Sequence, residues 1–171
     1  MLIHFDSSVP GAYPFSKEQS RALLQFCHRI GATTFTVNFL YVSGEDSEHA
    51  AKSFFQRLSV FAVGESILEN IYGDGFRRQA CWALTDESID AILTEIAGNL
   101  LAYNVLCIPE DWLFYVGDAI ILQVVSHEQE ATLRLSDAQY ADFTKLKIPH
   151  KVGPPQWSGL PELPLRKNRA S

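Results

Sequence analysis

The chain has 171 residues, 47% apolar and 20% charged, which predicts one folded domain and excludes a disordered chain. Its net charge of −6 is uneven: from Ile148 onward Lys151, Arg166, Lys167 and Arg169 face only Glu162, so that stretch carries +3 and residues 1–147 carry −9. A body that acidic repels nucleic acid and draws basic partners, and no apolar run approaches the ~20 residues of a membrane span.

The elements follow from hydrophobic period and from caps. Leu2-Ile3-His4-Phe5 predicts a short strand, followed by a loop with Pro10, Gly11 and Pro14. Ser16 with Gln19 forms a capping box and opens a helix whose buried stripe is Leu23, Phe26, Cys27 and Ile30, with Gly31 as its stop. Thr33 to Val42 alternates as a half-buried strand, with Phe35, Val37, Phe39 and Tyr41 on one face. Asp46 or Ser47 caps a second helix carrying Ala51, Phe54, Phe55, Leu58, Phe61 and Ala62, and Gly64 ends it. Ile67–Tyr72 and Phe76–Leu84 form a hairpin across Gly73-Asp74-Gly75. Thr85 caps a third helix with the stripe Ile89, Ile92, Leu93, Ile96 and Leu100, and Val105–Ile108 is a brief strand.

From Asp111 to Phe143 the pattern is three strands and a capped helix. Gly117-Asp118 between apolar runs is a two-residue hairpin signal, because glycine supplies the positive φ such a turn needs. In the strand after it, Ile120, Leu122 and Val124 share one face, and Ile121, Gln123 and Val125 share the other. His127 to Glu130 makes a polar turn, Ala131, Leu133 and Leu135 line the next strand, and Ser136 with Gln139 caps the last helix. Pro149, Pro154, Pro155, Pro161 and Pro164 then mark an extended tail, with Trp157 and Leu160 as its anchors on the body. The sequence thus predicts an α+β domain over residues 1–147 and a Pro-rich basic tail over 148–171. Its sheet is mixed or mostly antiparallel, with about four helices mainly on one face.

The chemistry-bearing residues are scattered. His127-Glu128 has no second histidine at the spacing of a zinc-protease helix, since position 131 is Ala. His4, His28, His49 and His150 share no ligand spacing, and Cys27, Cys81 and Cys107 lie far apart, which predicts buried thiols in a reducing compartment and no disulfide framework. The N-terminus has no basic start, long apolar centre or cleavage site, so a cytoplasmic protein is expected. No phosphate-binding loop, nucleophile elbow or dinucleotide fingerprint is present, and no metal or cofactor is implied. The carboxylates group at Glu45, Asp46 and Glu48 on one helix start, and at Asp86, Glu87 and Asp90 on another. Such placements complement the helix dipole. Glu110-Asp111 before Trp112 is not explained that way. Glu45, Asp46, Glu48, Glu110, Asp111 and Trp112 are therefore the candidate partner-binding residues, the acids giving attraction and the indole an anchor.

The strand–turn–strand–turn–capped-helix run from Trp112 to Phe143, in a single acidic, aromatic-rich chain with a ragged tail, resembles the small cytosolic immunity proteins of bacterial toxin systems. The resemblance implies a non-enzymatic protein that binds and neutralises a cognate toxin domain, one of basic character. The alternative is a small enzyme or ligand-binding domain whose site is assembled from distant His, Cys and carboxylate residues.

Overall fold

The computed structural model describes residues 1–38, 45–69, 76–102 and 111–153. Its elements are β1 (Leu2–Phe5), α1 (Lys17–Arg29), β2 (Thr34–Asn38), α2 (Glu45–Leu58), β3 (Ala62–Glu69), β4 (Phe76–Ala83), α3 (Asp86–Glu95), β5 (Asp111–Val116), β6 (Ala119–Val125), β7 (Glu130–Arg134), α4 (Asp137–Phe143) and β8 (Lys151–Val152). The eight strands form one sheet in the order β3-β4-β2-β5-β6-β7-β1-β8, and each neighbouring pair runs antiparallel. This is a single α+β domain.

Three helix starts are set by side chains reaching back to orphan amides. Ser16 and Gln19 exchange hydrogen bonds of 3.1 and 2.8 Å at the start of α1, and Ser136 and Gln139 do the same for α4. Thr85 pairs with Ser88 in the same way at α3. The described helices pack on one face of the sheet, where Leu23, Phe26, Phe54, Leu58, Ile89, Ile92 and Phe143 share a core with Phe5, Phe35, Trp82, Trp112, Phe114, Leu122 and Leu133. Phe143 stands edge-on to Phe26 at 5.3 Å and Phe5 stands edge-on to Phe15 at 5.5 Å, an arrangement worth about 0.5–1.5 kcal/mol per pair beyond burial.

Several elements differ from the sequence expectation, each for a local reason. Between Phe114 and Tyr115 the partner jumps from Leu122 to Ile120, so Ile121 is an extra residue. A bulge of this kind reverses the face of everything beyond it. Ile120 therefore joins Leu113 and Tyr115 in a separate cluster, while Ile121, Leu122 and Val124 enter the main core. Strand β3 begins at Ala62 rather than Ile67, and Gly64, at φ +140°, sits at a register shift inside it instead of ending a helix. Helix α3 ends at Glu95, with Ile96 as its C-cap, and Leu100 reaches the core from the following turns. The first tail residues belong to the sheet: β8 pairs with β1, Ile3 opposite Val152 and His4 opposite Lys151. The expected strand Val105–Ile108, the Gly73–Gly75 turn and the tail beyond Gly153 lie outside the described residues. No described helix is long and apolar enough to cross a membrane.

Candidate functional site

Of the expected binding residues, the two whose side chains are described, Asp111 and Trp112, are buried. Trp112 is 0% exposed and Asp111 is 5% exposed, because β5 is an interior strand between β2 and β6. The Trp112 ring packs 6.0 Å from Phe54 and 6.1 Å from Phe35 on the helix-covered face, so it serves the core and not a partner. Its Nε1 finds no hydrogen-bond partner among the described residues. Asp111 points to the other face, with its Oδ1 3.7 Å from His127 Nδ1. Helix α2 carries Glu45, Asp46 and Glu48 in its first turn, but their side chains lie outside the described residues, as does Glu110. A strand with apolar residues on both faces is buried on both, and that is why Asp111 and Trp112 are not exposed.

Folding instead gathers two other features. The first is polar and lies where β1, β7 and β8 meet. His4 Nδ1–H donates to Gly153 O at 2.9 Å, and its Nε2 lies 3.2 Å from Asp6 Oδ2. That second contact is an ion-pair distance without the alignment of a hydrogen bond, since Nε2 has no hydrogen-bond partner among the described residues. Asp6 Oδ1 accepts from the Ser8 amide at 2.7 Å and from the Ser8 hydroxyl, which in turn accepts from Lys151 Nζ. Burial pushes the Asp6 carboxyl up, but the Ser8 bonds with Lys151 and His4 outweigh it and hold Asp6 below the usual carboxylate range. Glu130 goes the other way: burial first, then the neighbouring Glu128 and Asp6, raise its carboxyl against the opposing pull of His4. Ser8 is committed on both sides, donating to a carboxylate and accepting from an ammonium, so it is not set up as a nucleophile with a free base. No sequence signal marks this cluster beyond Asp6-x-Ser8, because Lys151 arrives from the far end of the chain.

The remaining sequence candidates are structural where they are described. Cys27 and Cys81 are buried free thiols, and burial pushes Cys27 far above the ordinary thiol range. His150 packs at 5.1 Å edge-on to Phe143 and bonds Ile148 O and the Tyr140 hydroxyl. Among the described residues no group of three or more His, Cys, Asp or Glu is placed to hold a metal ion.

The second feature is apolar and lies at the opposite edge, where β3 is the outermost described strand. Val60 is 80% exposed, Val63 56% and Phe55 38%. Phe55 was expected in the buried stripe of α2. It sits about 100° around the helix from Phe54, which takes the core position at 2% exposure, and lies instead over Trp82 with ring centroids 5.7 Å apart. Arg57 on the same helix turns away to Glu95 of α3. Sequence reasoning missed this edge because Val60 and Val63 fell at a predicted helix end. Comparison of the chain with protein-family models, with curated proteins and with solved structures finds no match.

Proposed function

We propose that this protein is a non-enzymatic protein-binding domain, an immunity-type inhibitor that binds and neutralises a basic toxin domain. The observation that carries the binding half of this reading is the exposure of Phe55, Val60 and Val63 at and near β3, the outermost described strand. An outer strand presents backbone donors and acceptors that a partner strand can complete, and the exposed apolar side chains next to it supply area that binding desolvates. The −9 charge on residues 1–147 supports a basic partner. The inhibitor half rests on the resemblance of the Trp112–Phe143 run and the acidic, single-domain character of the chain.

The test is binding kinetics against the product of an adjacent toxin-like gene. Replacing Val60 and Val63 with Ser removes apolar contact without adding charge, and should speed dissociation by about tenfold or more, since interface changes act mainly on k_off. Absence of binding, or dissociation unaffected by both changes, overturns the reading. The enzyme or ligand-binding alternative draws on the raised Glu130 carboxyl beside His4 and Asp6, the kind of perturbed group that acid–base sites contain. An activity lost in Glu130→Gln, from a protein that binds no toxin, would put that reading first.

A further inference from the structure

We propose that His4, Asp6 and Lys151 form a proton-dependent clasp that holds β8 on β1. The clasp is closed while the His4 ring carries a proton on each nitrogen, and it opens when one of them is lost. Strand β8 has only two residues, Lys151 and Val152, so its backbone pairing with β1 is short. Ile3 faces Val152, His4 faces Lys151, and the Gly153 amide donates to Leu2 O. Side chains add a closed circuit to that pairing. Lys151 Nζ donates to the Ser8 hydroxyl, and the Ser8 hydroxyl and amide both donate to Asp6 Oδ1. Asp6 Oδ2 then meets His4 Nε2 at 3.2 Å, and His4 Nδ1 returns to Gly153 O at 2.9 Å.

This circuit fixes where the protons are. A backbone carbonyl only accepts, so His4 Nδ1 carries a hydrogen. With that hydrogen alone, the ring would turn the Nε2 lone pair on a carboxylate oxygen 3.2 Å away, and two acceptors repel. Asp6 does not hold the second proton. Burial raises its carboxyl, but the Ser8 bonds with Lys151 and His4 outweigh burial and keep it ionised. The proton therefore sits on Nε2, and His4 is an imidazolium, 4% exposed, beside a buried carboxylate. The neighbours on either side permit this. Thr132, opposite on β7, is neutral, and Lys151, opposite on β8, turns its ammonium to Ser8. Glu130 adjoins the Ala131 that pairs with Phe5. Burial, Glu128 and Asp6 raise its carboxyl while His4 lowers it, so His4 and Glu130 attract. Removing the Nε2 proton leaves the Asp6 carboxylate buried without its counter-charge, the costly outcome of breaking a buried pair. Parting β8 from β1 lets water reach both groups. A proton held by a partner in the fold stabilises at low pH and ceases to do so as pH rises, so the clasp opens on the alkaline side.

The experiment uses the full chain. Nitrogen-15 NMR of the His4 ring at pH 7 should show both nitrogens protonated. Trypsin cleavage after Lys151, scaled at each pH to a flexible control peptide, reports opening of β8. It should accelerate by about tenfold or more from pH 7 to pH 9, because one proton coupled to opening shifts the equilibrium about tenfold per pH unit. His4→Gln keeps an amide that can donate to Gly153 O but cannot change charge, so its scaled rate should not vary with pH. An unprotonated ring nitrogen at pH 7, a scaled wild-type rate that ignores pH, or the same rise in His4→Gln would each overturn the proposal. The ring measurement needs no variant to fold.

Discussion

Trp112 and Glu130 carry the sharpest consequences for single residues. The Trp112 indole is enclosed by Phe35 and Phe54, so Trp112→Ala leaves a cavity too large to close. It should cost about 3–5 kcal/mol in denaturant unfolding, whereas an exposed anchor would lose well under 1 kcal/mol, at about ±0.5 for surface positions. Glu130 has its carboxyl raised by burial and by Glu128 and Asp6. An acid whose folded pKa lies above its unfolded one destabilises the fold when ionised, and that penalty disappears as pH falls through the raised folded value. Glu130→Gln should thus stabilise the fold at pH 7, by less than about 1 kcal/mol because the group is partly solvated, raising Tm slightly, and should do nothing below the ordinary glutamate range. A melting series from pH 7 to pH 4 checks both the sign and the window. Neither residue's surroundings were legible in sequence. Alternation places Trp112 on one face of a strand, but which strands lie on either side is decided by long-range pairing.

At the scale of elements, local chemistry was the most legible part. The boxes at Ser16/Gln19 and Ser136/Gln139 are read from four residues each, because a cap needs nothing beyond its own turn. Ser136→Ala should cost about 1 kcal/mol, within the usual 0.5–2 for a lost N-cap, and loosen α4 over Phe143. Thermal melts of the variant test this, and an unchanged Tm would mean that packing of Phe143 alone holds the helix. Strand boundaries were harder. Gly64 looked like a helix stop because glycine favours positive φ in either setting, and Ile120 changed faces through a bulge that no residue type announces. The apolar edge was missed for the same reason: exposure at Val60 and Val63 depends on β3 being the outermost described strand, and strand order is not written in any one segment.

For the molecule as a whole, charge was legible from the start and topology was not. If the −9 of residues 1–147 steers a basic partner, association should slow steeply as ionic strength rises from low salt to physiological, since the Debye length shortens to about 8 Å. Stopped-flow association at two salt concentrations reads this directly, and a salt-independent k_on would remove the electrostatic part of the proposed function. The hairpins of the second half predicted a mixed or mostly antiparallel sheet, but the central place of β2 and the insertion of β1 between β7 and β8 depend on contacts across nearly the whole chain. That insertion also sets a timetable. Strand β1 leaves the ribosome long before either of its partners, with Phe5 paired to Ala131 and His4 to Lys151. At about 5–20 residues per second, β1 must wait on the order of ten seconds with both edges unpaired. Slow translation lengthens that wait, so the speed of synthesis, and any chaperone that shields a nascent strand, should govern how much of this protein reaches its fold.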